Sequence, residues 1–266
     1  VDDLASTMAA AIVTKKHGIS LAHLVAGTRS FDIKMPKEIN RLVIDGLSDY
    51  LFTAGMGSNS IVSREGAELS HVYEVGNILM DTLRFNHNRL QRPAVMDDLK
   101  LENGKYIVFT LNRKALIADK ENLGNMIYAM NKAAGNTPII AVLRNNAKEV
   151  VSQLTADMAD IHIIDSLPYL EFGYLTAHAM GIITDSGNVA EEATFNNLPC
   201  ITLNSYTEHI ETVKQGSNIL VGEDADKLEA AIKDMTGNNW KKCSLPDRWD
   251  GRTAERIVHI LLNMPG

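Results

Sequence analysis

Short apolar runs rich in β-branched residues alternate with stretches at helical spacing along almost the whole 266-residue chain. That alternation leaves few architectures open. An Ala-rich segment, "LASTMAAAIVTKKHGI", reads as a helix capped near Ser6 and Thr7, and the strand "SLAHLVAG" follows it. Helix "PKEINRLVIDGLSDY", strand "YLFTA", helix "GSNSIVSREG", strand "HVYEVG" and helix "NILMDTLRFNHNRL" come next. Residues 93–104 read as a boundary, after which a second series runs from strand "KYIVFTL" to "HIETVKQGSN". Repeats of this kind build parallel sheets covered by helices on both faces. Two α/β domains are expected, 1–92 and 93–246, with the last helix, "DGRTAERIVHILLNM", packing back on the first within 247–266. A first visible strand preceded only by a helix leaves a bare sheet edge, which natural proteins avoid. The chain is therefore expected to begin inside a domain, its edge covered by preceding residues or by another chain.

Hydrophobic content of 45% suffices for proper cores. With 33 acidic against 26 basic side chains, a net charge of -7 and no basic run, the sequence argues against a nucleic-acid binder. Two cysteines without a CxxC pair exclude a disulfide framework and fit a reducing compartment. The eight His show no HExxH-like ligand spacing, so no metal site is expected. No apolar run approaches the roughly 20 residues that span a bilayer, nor is there a signal-like start. The reading is of a cytoplasmic protein with no membrane or nucleic-acid partner.

The segment "IITDSGNVAEEATFNNLPCITLN", Ile182 to Asn204, reads as strand, tight turn, helix and strand. A helix that opens directly after Ser-Gly points free backbone N–H groups and the positive end of its dipole outward, an arrangement suited to phosphate. The alternative is that Asp185 and Ser186 only cap the helix. Two facing α/β domains make a cleft at the carboxyl ends of their strands, and this turn would belong to it.

Several stretches, in order and spacing, resemble one family: "HLVAGTRSFDIKMPKEINRLVIDGLSDYLFT", "VGNILMDTL", "FTLNRKALIADKENL", "DSLPYLEF", "TDSGNVAEEATFNNLPCITL", "TEHIETVKQGSNILVG" and "WDGRTAERIV". The family is that of the non-hydrolysing UDP-N-acetylglucosamine 2-epimerases. The resemblance implies two Rossmann-like domains of GT-B type facing a central cleft. The first would lack its N-terminal strands here, including a Gly-Thr-Arg-Pro phosphate loop. It further implies UDP, UDP-GlcNAc or UDP-ManNAc as ligands, no cofactor, a homodimer, and a place in envelope polysaccharide synthesis. For nucleotide binding it points to Phe172 against uracil, to Ser186, Gly187 and Asn188 at the phosphates, to Glu192 on the ribose hydroxyls, and to Arg113 and His209. His209 stands where the family has an arginine, and Asn188 where it has a second glycine.

The departures fall on proton-handling positions. The family's catalytic glutamate in His-Val-Glu-Ala-Gly is Val25, the first glutamate of Pro-Glu-Glu-Ile-Asn-Arg is Lys37, and the histidine of Leu-His-Arg is Asn112. Asp3 still matches the aspartate of the Gly-Asp-x-x-Ser-Thr motif, and Glu38 is the nearest remaining carboxylate. Glu208 and His209 are further substitutes. The implied reaction removes the C2 proton, expels UDP to give a glycal and adds UDP back with C2 inverted. Each positioned acid or base contributes about 10² to 10⁴ in rate. Valine carries no proton, asparagine does not titrate usefully, and lysine is cationic at neutral pH. Three readings stay open: an active 2-epimerase, a catalytically impaired UDP-sugar binder of the same fold, and a GT-B glycosyltransferase.

Overall fold

The computed structural model describes residues 3–263; the opening Val1-Asp2 and the last three residues of the closing segment, 264–266, lie outside them. The chain divides into two compact units. One is drawn from Val1–Phe85, Glu208–Glu211 and Leu245–Gly266, the other from Asn86–Thr207 and Thr212–Ser244.

In the first unit, helix α1 (Ala5–Lys16) leads into β1 (Ala22–Ala26), α2 (Pro36–Leu47), β2 (Tyr50–Thr53), α3 (Met56–Arg64), β3 (Val72–Glu74) and α4 (Ile78–Asn86). The three strands are parallel in the order β1-β2-β3. Leu4, not Ser6 or Thr7, occupies the N-cap position of α1, and no side chain caps it. Both hydroxyl residues fall inside the first turn, where the backbone is already helical. Leu51 and Ala26 pack with Val62 of α3 on one face of the sheet. On the other face Phe52 and Val75 meet Ile257, from a helix near the end of the chain (Thr253–Leu262). Asp81 of α4 accepts from the first amides of that helix, Thr253 N at 3.0 Å and Ala254 N at 2.8 Å. A carboxylate there is favoured by the helix dipole. Trp249 is fully buried and donates its indole N–H to Ala54 O at 3.0 Å.

The second unit holds α5 (Val95–Asp98), β4 (Ile107–Phe109), α6 (Lys114–Ala118), α7 (Lys120–Ala134), β5 (Ile139–Val142), α8 (Asn145–Leu154), β6 (Ile161–Ile164), α9 (Tyr169–Ala177), β7 (Gly181–Thr184), α10 (Gly187–Phe195) and β8 (Cys200–Thr202). It continues through α11 (Ile210–Lys214), inside which the chain passes between the units, to β9 (Asn218–Leu220) and α12 (Ala225–Thr236). The terminal helix is α13. All six strands are parallel, in the order β6-β5-β4-β7-β8-β9. This is the doubly wound order 3-2-1-4-5-6, whose direction reverses between β4 and β7. Side chains alternate across the sheet: Ile107, Phe109, Ile139, Ile183 and Ile201 enter the core beneath α7, α8 and α12. Val108, Ile140, Ile182 and Cys200 enter the core that α9 and α10 help to close. Both faces are buried, so the central strands β4 and β5 read as unbroken apolar runs. Helices α5, α6 and α12 and strand β9 are additions to the expected element list.

Candidate functional site

The site-forming end of the second unit is built where β4 and β7 lie side by side. The hydroxyls of Thr110, just past β4, and of Thr184, which ends β7, are buried and hydrogen bonded at 2.7 Å. Thr184 Oγ1 also accepts from Ser186 N at 3.0 Å, which sets the start of the turn. Asp185 reaches across the strand pair: its Oδ2 accepts from Asn112 N at 2.7 Å and from Arg113 N at 2.5 Å. The turns after β4 and β7 are thereby tied together at the switch point of the sheet.

The capping alternative fails in this geometry. Ser186 is at the N-cap of α10 with extended backbone, yet its side chain makes no cap bond; Asp185 bonds residues 112 and 113 through Oδ2, while its buried Oδ1 accepts from no described residue. By contrast α7 and α12 are capped by Asp119 and Asp224. The first bond back along α10 runs from Ala190 N to Ser186 O, so the amides of Gly187, Asn188 and Val189 precede the helix's own ladder. Asn188 is exposed on this first turn.

One turn further on, Glu192 is 9% exposed and receives no hydrogen bond from the described residues. Burial, with the charge of Glu191 added, pushes its carboxyl up to about 7. Below about pH 4.5 the group is protonated folded or unfolded; as pH rises from there to about 7 the unfolded chain ionises first and the folded chain loses stability, a loss that levels off above 7 where both forms are ionised. Tyr169, the first residue of α9, has its own hydroxyl raised by burial and then by Glu192, which places the two within electrostatic reach. Phe172 is half-buried and packs into the core that contains Ala190 and Ala193 of α10. Tyr169, at 43% exposed, is the more accessible aromatic of the pair. Arg113 is held by Glu223 at 2.9 Å and by Asn204 Oδ1 at 3.1 Å, and Asn112 is exposed.

In the first unit, Asp3, Lys37, Glu38 and Glu208 meet around one guanidinium. Arg41 is 5% exposed. Its Nη2 donates to Asp3 Oδ2 and Glu208 Oε2, both at 2.7 Å, and its Nη1 to Glu38 Oε2 at 3.2 Å. Lys37 Nζ stands 3.1 Å from Asp3 Oδ1. Burial alone would raise the Asp3 carboxyl, but hydrogen bonds and charge from Arg41 and Lys37 outweigh it and hold Asp3 below the usual carboxylate range. Glu38 is held down in the same sense against its burial, by Ser30 N at 2.9 Å, Phe31 N at 2.8 Å, Ser30 Oγ and Arg41. It anchors the loop between β1 and α2. His209 follows Glu208 and makes interactions of its own.

Val25 lies on β1. Pairing between β1 and β2 slips between Leu24 and Ala26, and Val25, at the slip, has φ +62°. A β-branched residue in the left-handed region is an outlier, of the kind that accumulates at functional sites. Behind it, Asp45 fixes the following turn by accepting from Gly27 N at 3.0 Å while pairing with His23 at 2.5 Å and Arg29 at 2.7 Å. A groove of about 530 Å³ in this unit, lined by Leu42, Asp45, Leu51, Glu65 and His71 among others, contains none of the residues expected to carry chemistry.

The profile described as UDP-N-acetylglucosamine 2-epimerase matches residues 2–262. The chain belongs to the UDP-N-acetylglucosamine 2-epimerase family. The UDP-N-acetylglucosamine 2-epimerase of Methanocaldococcus jannaschii is 35% identical over 272 residues, covering 97% of this chain and 73% of that protein. A crystal structure of the same organism's enzyme, in complex with UDP-GlcNAc and UDP, matches with TM-score 0.79 and 34% identity over 97% of this chain and 73% of that one. UDP-2,3-diacetamido-2,3-dideoxy-D-glucuronate 2-epimerase of Pseudomonas aeruginosa is 32% identical over 238 residues, 88% of this chain and 66% of that protein. Epimerases named for different sugars thus lie at similar distance. The enzyme of Neisseria meningitidis bound to UDP-GlcNAc shares the fold at TM-score 0.85 and 23% identity, covering 97% and 73%.

Within this 2-epimerase family member, Ser186, Gly187, Asn188 and Glu192 lie together on one helix, and Asp3, Lys37 and Glu38 lie together around Arg41. The role of Asp185 as the tie across β4 and β7, that of Arg41 as the hub of the carboxylates, and the approach of Tyr169 to Glu192 are additions to the sequence reading. Each depends on pairing between distant segments, which carries no local periodic signal. Among the described residues, no helix is long and apolar enough to cross a membrane.

Proposed function

We propose that this chain binds UDP-sugars through its second unit and is impaired in C2 epimerisation. The observation that carries the binding is Glu192: a nine-tenths-buried residue whose carboxylate has no donor from the described residues, one turn from an uncapped helix N-terminus at the sheet's switch point. Vicinal ribose hydroxyls supply the two donors it lacks. The amides of residues 187–189 and the α10 dipole suit the diphosphate, and the uracil ring lies by the aromatics of α9, Phe172 and Tyr169. Arg113, held by Glu223 and Asn204, is the further nucleotide contact of this unit. The names of the M. jannaschii relative and of its UDP-bound structure support UDP-GlcNAc as the ligand.

The impairment rests on both chemistry and geometry. Val25, Lys37 and Asn112 lack an acid or base that works near neutrality. The retained Asp3 and Glu38 are locked to Arg41, which suits them to positioning and leaves them poor proton carriers.

Replacing Glu192 with Ala removes two charge-assisted hydrogen bonds, each worth roughly 1.5 to 3 kcal/mol. UDP affinity measured by titration calorimetry should then fall by roughly 10² to 10⁴. Unchanged affinity in Glu192→Ala would overturn the assignment.

A further inference from the structure

We infer that occupancy of the ribose subsite expels a proton from Glu192, so that UDP-sugar binding to this chain is coupled to pH around neutrality. The inference rests on the UDP-sugar reading and adds a regulatory property to the same site.

The geometry supplies the reason. The Glu192 side chain is buried on α10 and accepts no hydrogen bond from the described residues. Neither influence on its carboxyl, burial nor the charge of Glu191, favours a negative charge. Glu191, its neighbour on α10, is itself buried and adds repulsion, and Tyr169 of α9, whose hydroxyl is raised by burial and then by the charge of Glu192, stays neutral at these pH values. The strands packed against α10 are β7, β8 and β9. Their sequences, Gly181–Thr184, Cys200–Thr202 and Asn218–Leu220, contain no charged residue, and the Cys200 thiol is fully buried, raised to about 12 and so neutral. A carboxyl in such surroundings keeps its proton to a higher pH than in water, here to about 7.

A bound ribose reverses the balance. Its two hydroxyls donate to the carboxylate, and donors to the charged form favour that form. The step balances simply: protonated Glu192 and the nucleotide sugar give the carboxylate complex and one proton, which passes to the buffer. No covalent bond other than O–H changes. The sign follows by linkage: a ligand that prefers the deprotonated site binds more tightly as pH rises through the free-state value, and below it binding competes with the proton.

The test is calorimetric titration of the full chain with UDP-GlcNAc in two buffers of different ionisation enthalpy. This ligand is preferred to UDP because both its phosphates are esterified and lack the second phosphate ionisation near 6. The difference in heat between buffers should report release of nearly one proton near pH 6, about half near pH 7 and almost none above pH 8, with affinity about tenfold weaker at pH 6 than at pH 8. Glu192→Gln, which mimics the neutral form, should bind more weakly at every pH and show neither effect. Buffer-independent heats with a flat affinity profile in the parent would overturn the inference while leaving UDP-sugar binding intact. A pH dependence that persists in Glu192→Gln would also overturn it, assigning the proton elsewhere. Absence of UDP-GlcNAc binding at every pH would instead overturn the UDP-sugar reading, and the proton linkage with it.

Discussion

Epimerisation of UDP-GlcNAc by this chain is expected to be undetectable, or at least about 10⁴ slower than by a relative with glutamates at positions 25 and 37 and histidine at 112. Each positioned proton donor or acceptor is worth about 10² to 10⁴, and removing several that act as a unit gives less than the product of the single losses. Two features make rescue by the remaining carboxylates ineffective. Glu38 already accepts from two backbone amides, a hydroxyl and Arg41. Asp3 is paired with both Arg41 and Lys37, which lowers its basicity. The same non-additivity implies that restoring one residue does little. The triple substitution Val25→Glu, Lys37→Glu, Asn112→His is the informative variant, followed by deuterium incorporation at C2 and by UDP-ManNAc formation. Position 25 has a left-handed backbone, where an unbranched glutamate is less crowded than valine, so the reversion there should not harm folding. Exchange by the parent at an ordinary enzymic rate, around 1 to 10³ s⁻¹, would show that other side chains carry the chemistry.

The sheet of the second unit was legible because both its faces are buried. Ile107 to Phe109 and Ile139 to Val142 are apolar at every position for that reason, as are Ile182 and Ile183 of β7, and the intervening helices carry one apolar stripe each. Strand β9 is three residues, Asn218–Leu220, with a buried Asn at its start that bonds Thr202 and Thr212. A polar residue satisfied only by partners from other segments hides such a strand. Helix α12 did carry a signal, in Leu228, Ala231, Ile232 and Met235 behind the Asp224 cap. The family motifs placed Ser186, Gly187 and Glu192 on one turn and helix, but the pattern Asp-Ser before a helix reads equally as a cap. What separates the two is the destination of the Asp185 carboxylate, 73 and 72 residues back along the chain. Glu38 shows the same limit: beside an open position it reads as a spare base, and only the loop folding back from β1 turns it into an anchor.

Replacing Arg41 with Met should destabilise the first unit by about 3 kcal/mol near pH 7.5, at the lower end of what removing one partner of a buried ion pair costs, since Asp3 and Glu208 retain some exposure. Methionine roughly fills the space of the arginine stem, so the loss is of charge more than of packing. In the parent, Asp3 and Glu38 are held below their unfolded values, so they contribute stability above about pH 4 that is lost as pH falls through their folded-state values. Without Arg41 the desolvation that opposes ionisation is no longer outweighed to the same degree. Protonation then relieves the variant, and the gap between variant and parent should shrink as pH is lowered from 7.5 toward 5. The two tryptophans, Trp240 in the second unit and Trp249 in the first, allow the relevant transition to be followed. In a Trp240→Phe background, urea unfolding monitored by the fully buried Trp249 reports the first unit. A destabilisation of the same size at both pH values would mean that Arg41 acts through packing, and the charge account of the Asp3, Glu38 and Glu208 cluster would fail.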